Sequence, residues 1–292
     1  MPTSTQQNTL RIEVNKQGIL TLWLDGGDKS VVILNRDLIQ RLNATLDTIE
    51  QRTDITGLIL RSDCDRVFVA GADLAEIDGL DDHGLHAYLA FGTTVFARIA
   101  SFPFPTVATL NGAALGGGLE IAMHCNALII SKVNASGKSF PVGLPEAGLG
   151  LCPGWGGTQL LPSRVTSETA IISTATGTPF MSNDLPKGLA TQIVDTPETL
   201  QEIAELWIQE NATCGATPLG MQPDSADDWN EGLDVAQETI EGSEATRAVL
   251  YAVETGIQEG WSAAVAVEQC ELVRLRNTPV AQEKLNAFLS KG

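Results

Sequence analysis

Between residues 10 and 24 apolar and polar positions alternate in two short runs, 10–14 and 19–24, separated by Asn-Lys-Gln-Gly at 15–18. A period of two around turn chemistry predicts a strand hairpin. Leu34, Leu38, Leu42, Leu46 and Ile49 then recur on one stripe and predict an amphipathic helix over 34–52. Asn35 is a candidate cap that would start it a residue or two later. Strands are predicted at 56–61 and 67–69, a helix at 86–101 that ends before Pro103 and Pro105, and a strand at 106–110. A short apolar helix comes next at 119–126, then strands at 127–131, 139–142 and 189–194 and a helix at 166–176. The Gly- and Pro-rich 149–159 reads as loop.

Strands alternating with helices argue for an α/β class with a largely parallel sheet. After about residue 196 the pattern turns helical, at 198–209, 233–240, 244–258, 262–276 and 280–289, with a Gly-, Pro-, Asp- and Ser-rich loop at 212–230. The expected organisation is a β/α core over 1–196 and a helical C-terminal segment over 197–292, without an internal repeat.

Charge narrows the function classes. The 292 residues hold 18 Lys and Arg against 36 Asp and Glu, a formal charge of −18. That balance argues against nucleic-acid or membrane-surface binding, and any polyanionic ligand must be held by local donors. No apolar run reaches the ~18 residues of a membrane span, and the polar N-terminus lacks a signal peptide's apolar centre. Cys64, Cys125, Cys152, Cys214 and Cys270 are scattered and odd in number, so buried free thiols in a reducing cytoplasm are expected. Residues 290–292 (Ser-Lys-Gly) lack the final leucine of a peroxisomal address.

Candidate chemistry gathers where predicted strands end. The strand at 106–110 leads into Gly116, Gly117 and Gly118 and then a helix carrying Glu120 in its first turn. Glycines there let a ligand approach the main chain, and a helix N-terminus favours negative charge, so a carboxylate beside it suggests proton chemistry. Ala70-Gly-Ala-Asp-Leu74 is a second small-residue turn before a helical pattern, and Pro145-Glu146 is a third feature, with Gly154-Trp-Gly-Gly157 after it. One N–H from each of the first two stretches could grip a carbonyl oxygen as an oxyanion hole, with two glutamates as general acid and base. The bland readings are glycines for close helix–strand packing and Glu120 as a dipole-favoured capping acid. The residues by themselves leave both open.

These stretches, with 111–120 (Asn-Gly-Ala-Ala-Leu-Gly-Gly-Gly-Leu-Glu), 143–150 (Gly-Leu-Pro-Glu-Ala-Gly-Leu-Gly) and 153–158 (Pro-Gly-Trp-Gly-Gly-Thr), occur in the order of the crotonase (enoyl-CoA hydratase/isomerase) superfamily, which the chain resembles. The similarity is clear over about 9–200 and loose beyond. It implies a crotonase-like spiral of ββα units with a C-terminal helical segment, and an acyl-CoA substrate. The carbonyl would be held by the N–H groups of Ala72 and Gly117. Glu120 and Glu146 fall on the family's acid positions and favour hydration of a 2-trans-enoyl-CoA to the 3-hydroxyacyl-CoA, Glu120 activating water and Glu146 delivering the α-proton. Val31, Ala70, Gly71, Asp73, Leu74, Gly116 and Trp155 would line the substrate, and Lys29 would stand near its nucleotide end unless it is simply a solvated lysine. The segment 30–35 (Ser-Val-Val-Ile-Leu-Asn) is similar to the hydratase half of multifunctional fatty-acid oxidation proteins. With no strand–Gly-x-Gly-x-x-Gly–helix unit, NAD binding is not expected, and a 3-hydroxyacyl-CoA dehydrogenase would be a separate partner. The resemblance further implies a homotrimer or dimer of trimers, and neither metal nor redox cofactor; the cytoplasmic location is the expectation drawn from the cysteines.

The sequence departs from the family at Ala75 and Glu76, where hydratases often carry a lysine, and at Asn126, where an aspartate is common and only a structural consequence is expected. His83, His86 and His124 lack metal-ligand spacing, and His124 reads as a packed core residue. Trp155 either walls the acyl pocket or fills the core. Phe288 covers a CoA or a subunit contact, or is a core anchor, the last being the simpler reading. Met221 and Pro223 suggest nothing specific, and 136–139 (Ser-Gly-Lys-Ser) reads as a surface turn. Competing functions are a Δ3,Δ2-enoyl-CoA isomerase, a hydrolase or decarboxylase of the same fold, and a non-catalytic acyl-CoA-binding subunit.

Overall fold

The computed structural model describes residues 9–222 and 225–290. The N-terminal stretch 1–8, Pro223 and the last two residues of the C-terminal tripeptide lie outside the described residues. The expected hairpin forms: β1 (Ile12–Val14) pairs antiparallel with β2 (Ile19–Leu24). Asn15 Oδ1 accepts the N–H groups of Gln17 and Ile19, both at 3.0 Å, and Gly18 takes φ +81° to close the turn. Helix α1 (Arg36–Glu50) starts at its expected cap, where Asn35 Oδ1 accepts the Leu38 N–H at 2.8 Å, and it buries Leu38, Leu42, Leu46 and Ile49.

β3 (Gly57–Ser62), β5 (Thr106–Leu110), β7 (Ala127–Ser131) and β10 (Gln192–Val194) extend β2 in parallel, giving a six-stranded sheet in the order β1-β2-β3-β5-β7-β10. Every residue of β5 and β7 is buried, which is why they read as apolar and β-branched runs without alternation. Helix α7 (Leu200–Glu210) covers one face, setting Leu200, Ala204 and Ile208 against Ile59, Val107 and Ile129.

A second sheet sits where the sequence shows few strands. It runs β4 (Val67–Val69), β6 (Ala113–Leu115), β8 (Pro141–Gly143), β9 (Phe180–Met181), parallel across the first three and antiparallel at β9. β6 and β9 are not predicted. They are three and two residues long, too short for alternation to show.

Helices α2 (Leu74–Gly79), α3 (Asp82–Ala100), α4 (Gly117–Met123), α5 (Gly157–Leu160) and α6 (Ser167–Thr176) fill the crossovers. The C-terminal segment supplies α8 (Ala226–Thr239), α9 (Glu244–Glu259), α10 (Trp261–Arg276) and α11 (Pro279–Leu289). α4 ends, and β10 starts, three residues inside the expected 119–126 and 189–194, and three further boundaries differ from the sequence reading. α3 begins at Asp82, capped by Asp81 on the Gly84 N–H at 2.7 Å; Gly84 in its first turn masks this start. α8 begins inside the expected 212–230 loop, helped by Asp227 and Asp228 at its positive end. Its Gly232 is needed because a Cβ would strike the backbone of Ser167 and Glu168. The 149–159 loop ends in the helical turn of α5.

The cysteines are unpaired, but only Cys125 and Cys152 are buried; Cys64 and Cys214 are half-buried and Cys270 is exposed. The expectation of uniformly buried thiols fails because Cys270 falls on the outer face of α10. Among the described residues no helix is long and apolar enough to cross a membrane.

Candidate active site

Three neighbouring parallel strands deliver the site. β4 hands the chain to Ala70–Asp73 and α2, β6 to Gly116 and α4, and β8 through Leu144 and Pro145 to a 3-10 turn over Glu146–Leu149. Adjacent strands lie about 4.8 Å apart, so motifs 30 to 70 residues apart in sequence meet at the carboxyl ends of one sheet, the usual place for a ligand in parallel α/β architecture.

The meeting point is a cavity of about 680 Å³. Lys29, Val31, Ala70, Gly71, Ala72, Asp73, Leu74, Gly116, Gly117, Glu120, Glu146 and Trp155 all line it, so every candidate read from the sequence comes to one place. Further walls are apolar: Leu89 of α3, Leu149 and Leu151 after the acid turn, and Leu272 and Leu289 from α10 and α11, none of them anticipated, together with Phe288, for which cover of a CoA was one of the readings. Phe288 is 56% exposed, so the core-anchor reading is wrong; it sits near the end of α11 with one side to the cavity.

Each glycine of the triplet has its own neighbour. Gly118 packs on β4, where a Cβ would collide with the Val69 carbonyl oxygen. At Gly117 a Cβ would enter the Trp155 indole. Gly116 sits at φ +53°, ψ −124°, and the volume of its missing Cβ is taken by Glu146 Oε1. The packing reading thus holds for Gly118, while Gly116 makes room for an acid.

On the first turn, Leu34 bridges Ala72 in parallel: Leu34 N donates to Gly71 O at 2.9 Å and Asp73 N to Leu34 O at 3.3 Å. The Ala72 N–H takes no part in that pair and faces the other way. Asp73 caps α2 through the Ala75 N–H at 3.0 Å and accepts from Lys29 Nζ at 2.6 Å, fixing Lys29 at the cavity rim. The far end of α2 is held by Arg276 of α10, which is 4% exposed and donates to Ile77 O and Leu80 O and to Asp82.

Glu120 is 1% exposed. Its Oε1 accepts the backbone N–H groups of Trp155 and Gly157, both at 2.8 Å. Burial pushes its carboxyl well above the usual range, the charges of Glu146 and Glu268 push the same way, and the two N–H donors only partly offset them. Glu146 is pushed up to about 8, first by burial and then by Glu268, and its Oε2 is buried with no hydrogen-bond partner. The cavity therefore holds two carboxyl groups whose proton affinity is raised above the usual carboxyl range, a perturbation that clusters at sites of proton chemistry.

Glu268 was missed by sequence reasoning. It lies on the buried stripe of α10 with Ala264, Val265 and Leu272. A lone acid on an apolar stripe was the available signal. It is fully buried and pushed up to about 7 by burial.

Trp155 proves to be both core and wall. Its Nε1 donates to Leu89 O at 3.0 Å, its ring meets Tyr88 and Phe96 edge-on at 5.4 and 5.3 Å, and it lines the cavity. His124 is a packed core residue as expected. Its Nδ1 lies 2.8 Å from Glu120 O, and burial pushes it down to about 4, so it stays neutral. Asn126 is structural: its Oδ1 accepts Thr106 N at 2.7 Å and its Nδ2 donates to Gly215 O at 2.9 Å. Residues 136–139 form a surface turn around Gly137 at φ +71° and the Asn134 side chain.

Comparison with known proteins agrees with this geometry. Residues 16–263 match the family model described as enoyl-CoA hydratase/isomerase. The fatty acid oxidation complex subunit alpha of Idiomarina loihiensis is 28% identical over 98% of this chain, and the match spans 41% of that relative's length. Among solved structures, a carnitinyl-CoA dehydratase from Mycobacterium thermoresistibile has a TM-score of 0.73 at 18% identity, covering 97% of this chain and 90% of that one. Human mitochondrial delta3-delta2-enoyl-CoA isomerase has a TM-score of 0.71 at 21% identity, with 98% of both chains covered. Those two likenesses establish the crotonase fold. The family match over most of its length, on top of an acid pair at the ends of three parallel strands, places the chain in the enoyl-CoA hydratase/isomerase family.

Proposed function

We propose that the protein is an enoyl-CoA hydratase. The observation that carries the reading is the pair of acids, buried Glu120 and half-buried Glu146, in one apolar cavity beside the N–H groups of Ala72 and Gly117. In this scheme those two N–H groups hold the thioester carbonyl of a 2-trans-enoyl-CoA and stabilise the enolate oxygen as it forms. Glu120 takes a proton from water, whose oxygen bonds to C3. The C2=C3 electrons move into the enolate, which then takes the Glu146 proton at C2. Glu120 ends protonated and Glu146 ionised, and exchange with solvent resets them. The partnerless Glu146 Oε2 suits a proton-delivering group, and the anchored Glu120 Oε1 suits a base that must hold water in place. The acids alone carry the scheme, and coenzyme A enters as part of the substrate. Lys29 at the rim offers a cation for the nucleotide end despite the overall acidity.

The test is the loss of enoyl-thioester ultraviolet absorbance with crotonyl-CoA and then a longer 2-enoyl-CoA. Glu120→Gln and Glu146→Gln should each slow hydration by about 10²–10⁴. Isomerisation of a 3-enoyl-CoA that survives loss of one acid would replace this reading with an isomerase. Coenzyme A binding without turnover of either substrate would replace it with a binding subunit. The trimeric state, and a separate dehydrogenase that consumes the 3-hydroxyacyl product, belong to the same proposal.

A further inference from the structure

The loop that anchors Glu120 is held from both sides by carboxylates in strict alternation. Glu120 takes the N–H groups of Trp155 and Gly157. Glu268 takes those between and after: its Oε2 accepts Gly156 N at 2.7 Å, and its Oε1 accepts Thr158 N at 2.8 Å and Thr158 Oγ1 at 2.5 Å. Four consecutive backbone donors are thus shared by two buried acids that reach the loop from α4 and α10. Such a ladder fixes each peptide plane, since turning one N–H away from its carboxylate turns its neighbours too. Glycines allow the close approach: Gly156 sits at φ +94°, and a Cβ there would enter the Trp261 ring.

Glu268 does not line the cavity and touches no reacting atom. The titratable groups around this cluster are Glu120 and His124 of α4, Glu146 of the acid turn, Cys152 of the following loop, Tyr88 of α3 and Glu271 of α10 itself, the last paired with Arg274. Among the described residues no cation is paired with Glu120, Glu146 or Glu268. Elsewhere α3 meets α10 through Thr93 and Gln269, and α9 meets α5 through Gly256 and Gln159, all uncharged.

We infer that Glu268 is a positioning residue for the acid pair: it locks the 154–158 loop that anchors Glu120 and so holds the two carboxyl groups of the cavity in their working arrangement. The inference rests on the two-acid reading of the site. It makes the C-terminal segment part of the chemistry, because a helix outside the strand motifs sets the state of both acids.

The test is Glu268→Gln. The amide can accept one of the two N–H groups but must set its own NH2 against the other, and it carries no charge. With crotonyl-CoA, kcat should fall by about 10²-fold, as for a misplacement near 1 Å, while KM changes little because the cavity wall is intact. The alkaline limb of kcat/KM should move down by on the order of 1 pH unit, since loss of a neighbouring anion lowers the pH at which Glu146 gives up its proton. Thr158→Val, which removes a donor that stabilises the Glu268 carboxylate and so lets it take up a proton more readily, should move the limb the same way by less. Infrared titration of the protonated-carboxyl band that disappears in Glu146→Gln tracks the same proton without turnover, and its midpoint should drop in both variants. A wild-type enzyme that fails to hydrate either substrate would sink the hydratase reading while leaving the infrared test of Glu268 standing. Unmoved pH limb and infrared midpoint in both variants would overturn the positioning role, whatever happens to activity or folded yield.

Discussion

Gly116→Ala separates chemistry from packing at the glycine triplet. Gly116 lies at φ +53°, ψ −124°, a conformation an L side chain enters at a cost of about 1–3 kcal/mol. Its new Cβ would overlap Glu146 Oε1, the free end of a side chain, so the carboxylate has to withdraw by about 1 Å to reach ordinary contact. A shift of that size in a proton donor is worth about 10²-fold in rate. The expected result is a folded protein with a lower urea midpoint and kcat down about 10²-fold on crotonyl-CoA. Gly118→Ala is the control. Its Cβ meets the Val69 carbonyl oxygen and Cβ on β4 and has no acid within contact. Overpacking against a strand costs about 1–3 kcal/mol and should spare kcat per folded molecule. The reasoning fails if Gly116→Ala shows the stability loss with kcat within about threefold of wild type, or if both variants lose kcat alike.

The contacts around the cavity carry further expectations. Arg276→Met leaves the Ile77 and Leu80 carbonyls without their donor and should lower unfolding free energy by about 2–4 kcal/mol; freeing the end of α2 should also raise KM, read by denaturant titration and steady-state kinetics. Lys29→Ala should raise KM for crotonyl-CoA a few-fold with kcat unchanged and cost under about 1 kcal/mol of stability, because its ion pair with Asp73 is nearly half exposed; the KM difference should shrink in high salt. Stability should also fall as pH rises. Glu120, Glu146 and Glu268 all hold protons more tightly folded than unfolded, so their contribution is complete below the ordinary carboxyl range and is lost as pH climbs through about 8. A urea midpoint higher at pH 9 than at pH 6 would contradict this.

The features legible in the sequence are those decided by physical rules that act locally. Alternation around Asn15 and Gly18, the Leu38–Ile49 stripe behind Asn35, and the fully buried β5 and β7 are decided by neighbours within one turn or one strand, and they appear where expected. Of the second sheet, β4 and β8 were legible as strands, and the rest only through the turns at the strand ends. β6 and β9 are too short to carry a period, yet the small-residue turns after β4, β6 and β8 were visible because ligand approach and acid placement restrict residue type there. The starts of α3 and α8 were hidden by Gly84 and Gly232, residues that lower helix propensity; Gly232 is explained only by a distant contact with Ser167.

The least legible part of the site is the half contributed from the far end of the chain. Leu272, Phe288 and Leu289 close the cavity, Arg276 pins α2, and Glu268 grips the loop behind Glu120. Each acts across more than 100 residues, and none stands in a motif. Yet burial supplies a rule that needs no motif. A carboxylate or guanidinium on an apolar helical stripe is tolerated only where the fold meets it with donors or acceptors. On α10 the inward-facing Glu268 and Arg276 are two such residues, eight positions apart on the same helix. One finds the N–H groups of Gly156 and Thr158, the other the carbonyls of Ile77 and Leu80. The first sits behind the acids and the second at the far end of α2, the helix that follows the turn bearing Ala72. The same helix therefore braces both halves of the proposed chemistry, the oxyanion donor and the base, and displacement of α10 should disturb them together. A variant that loosens α10 at Leu272, such as Leu272→Ala, should thus lower kcat and raise KM in one step. An effect on KM alone would mean that the helix only walls the cavity.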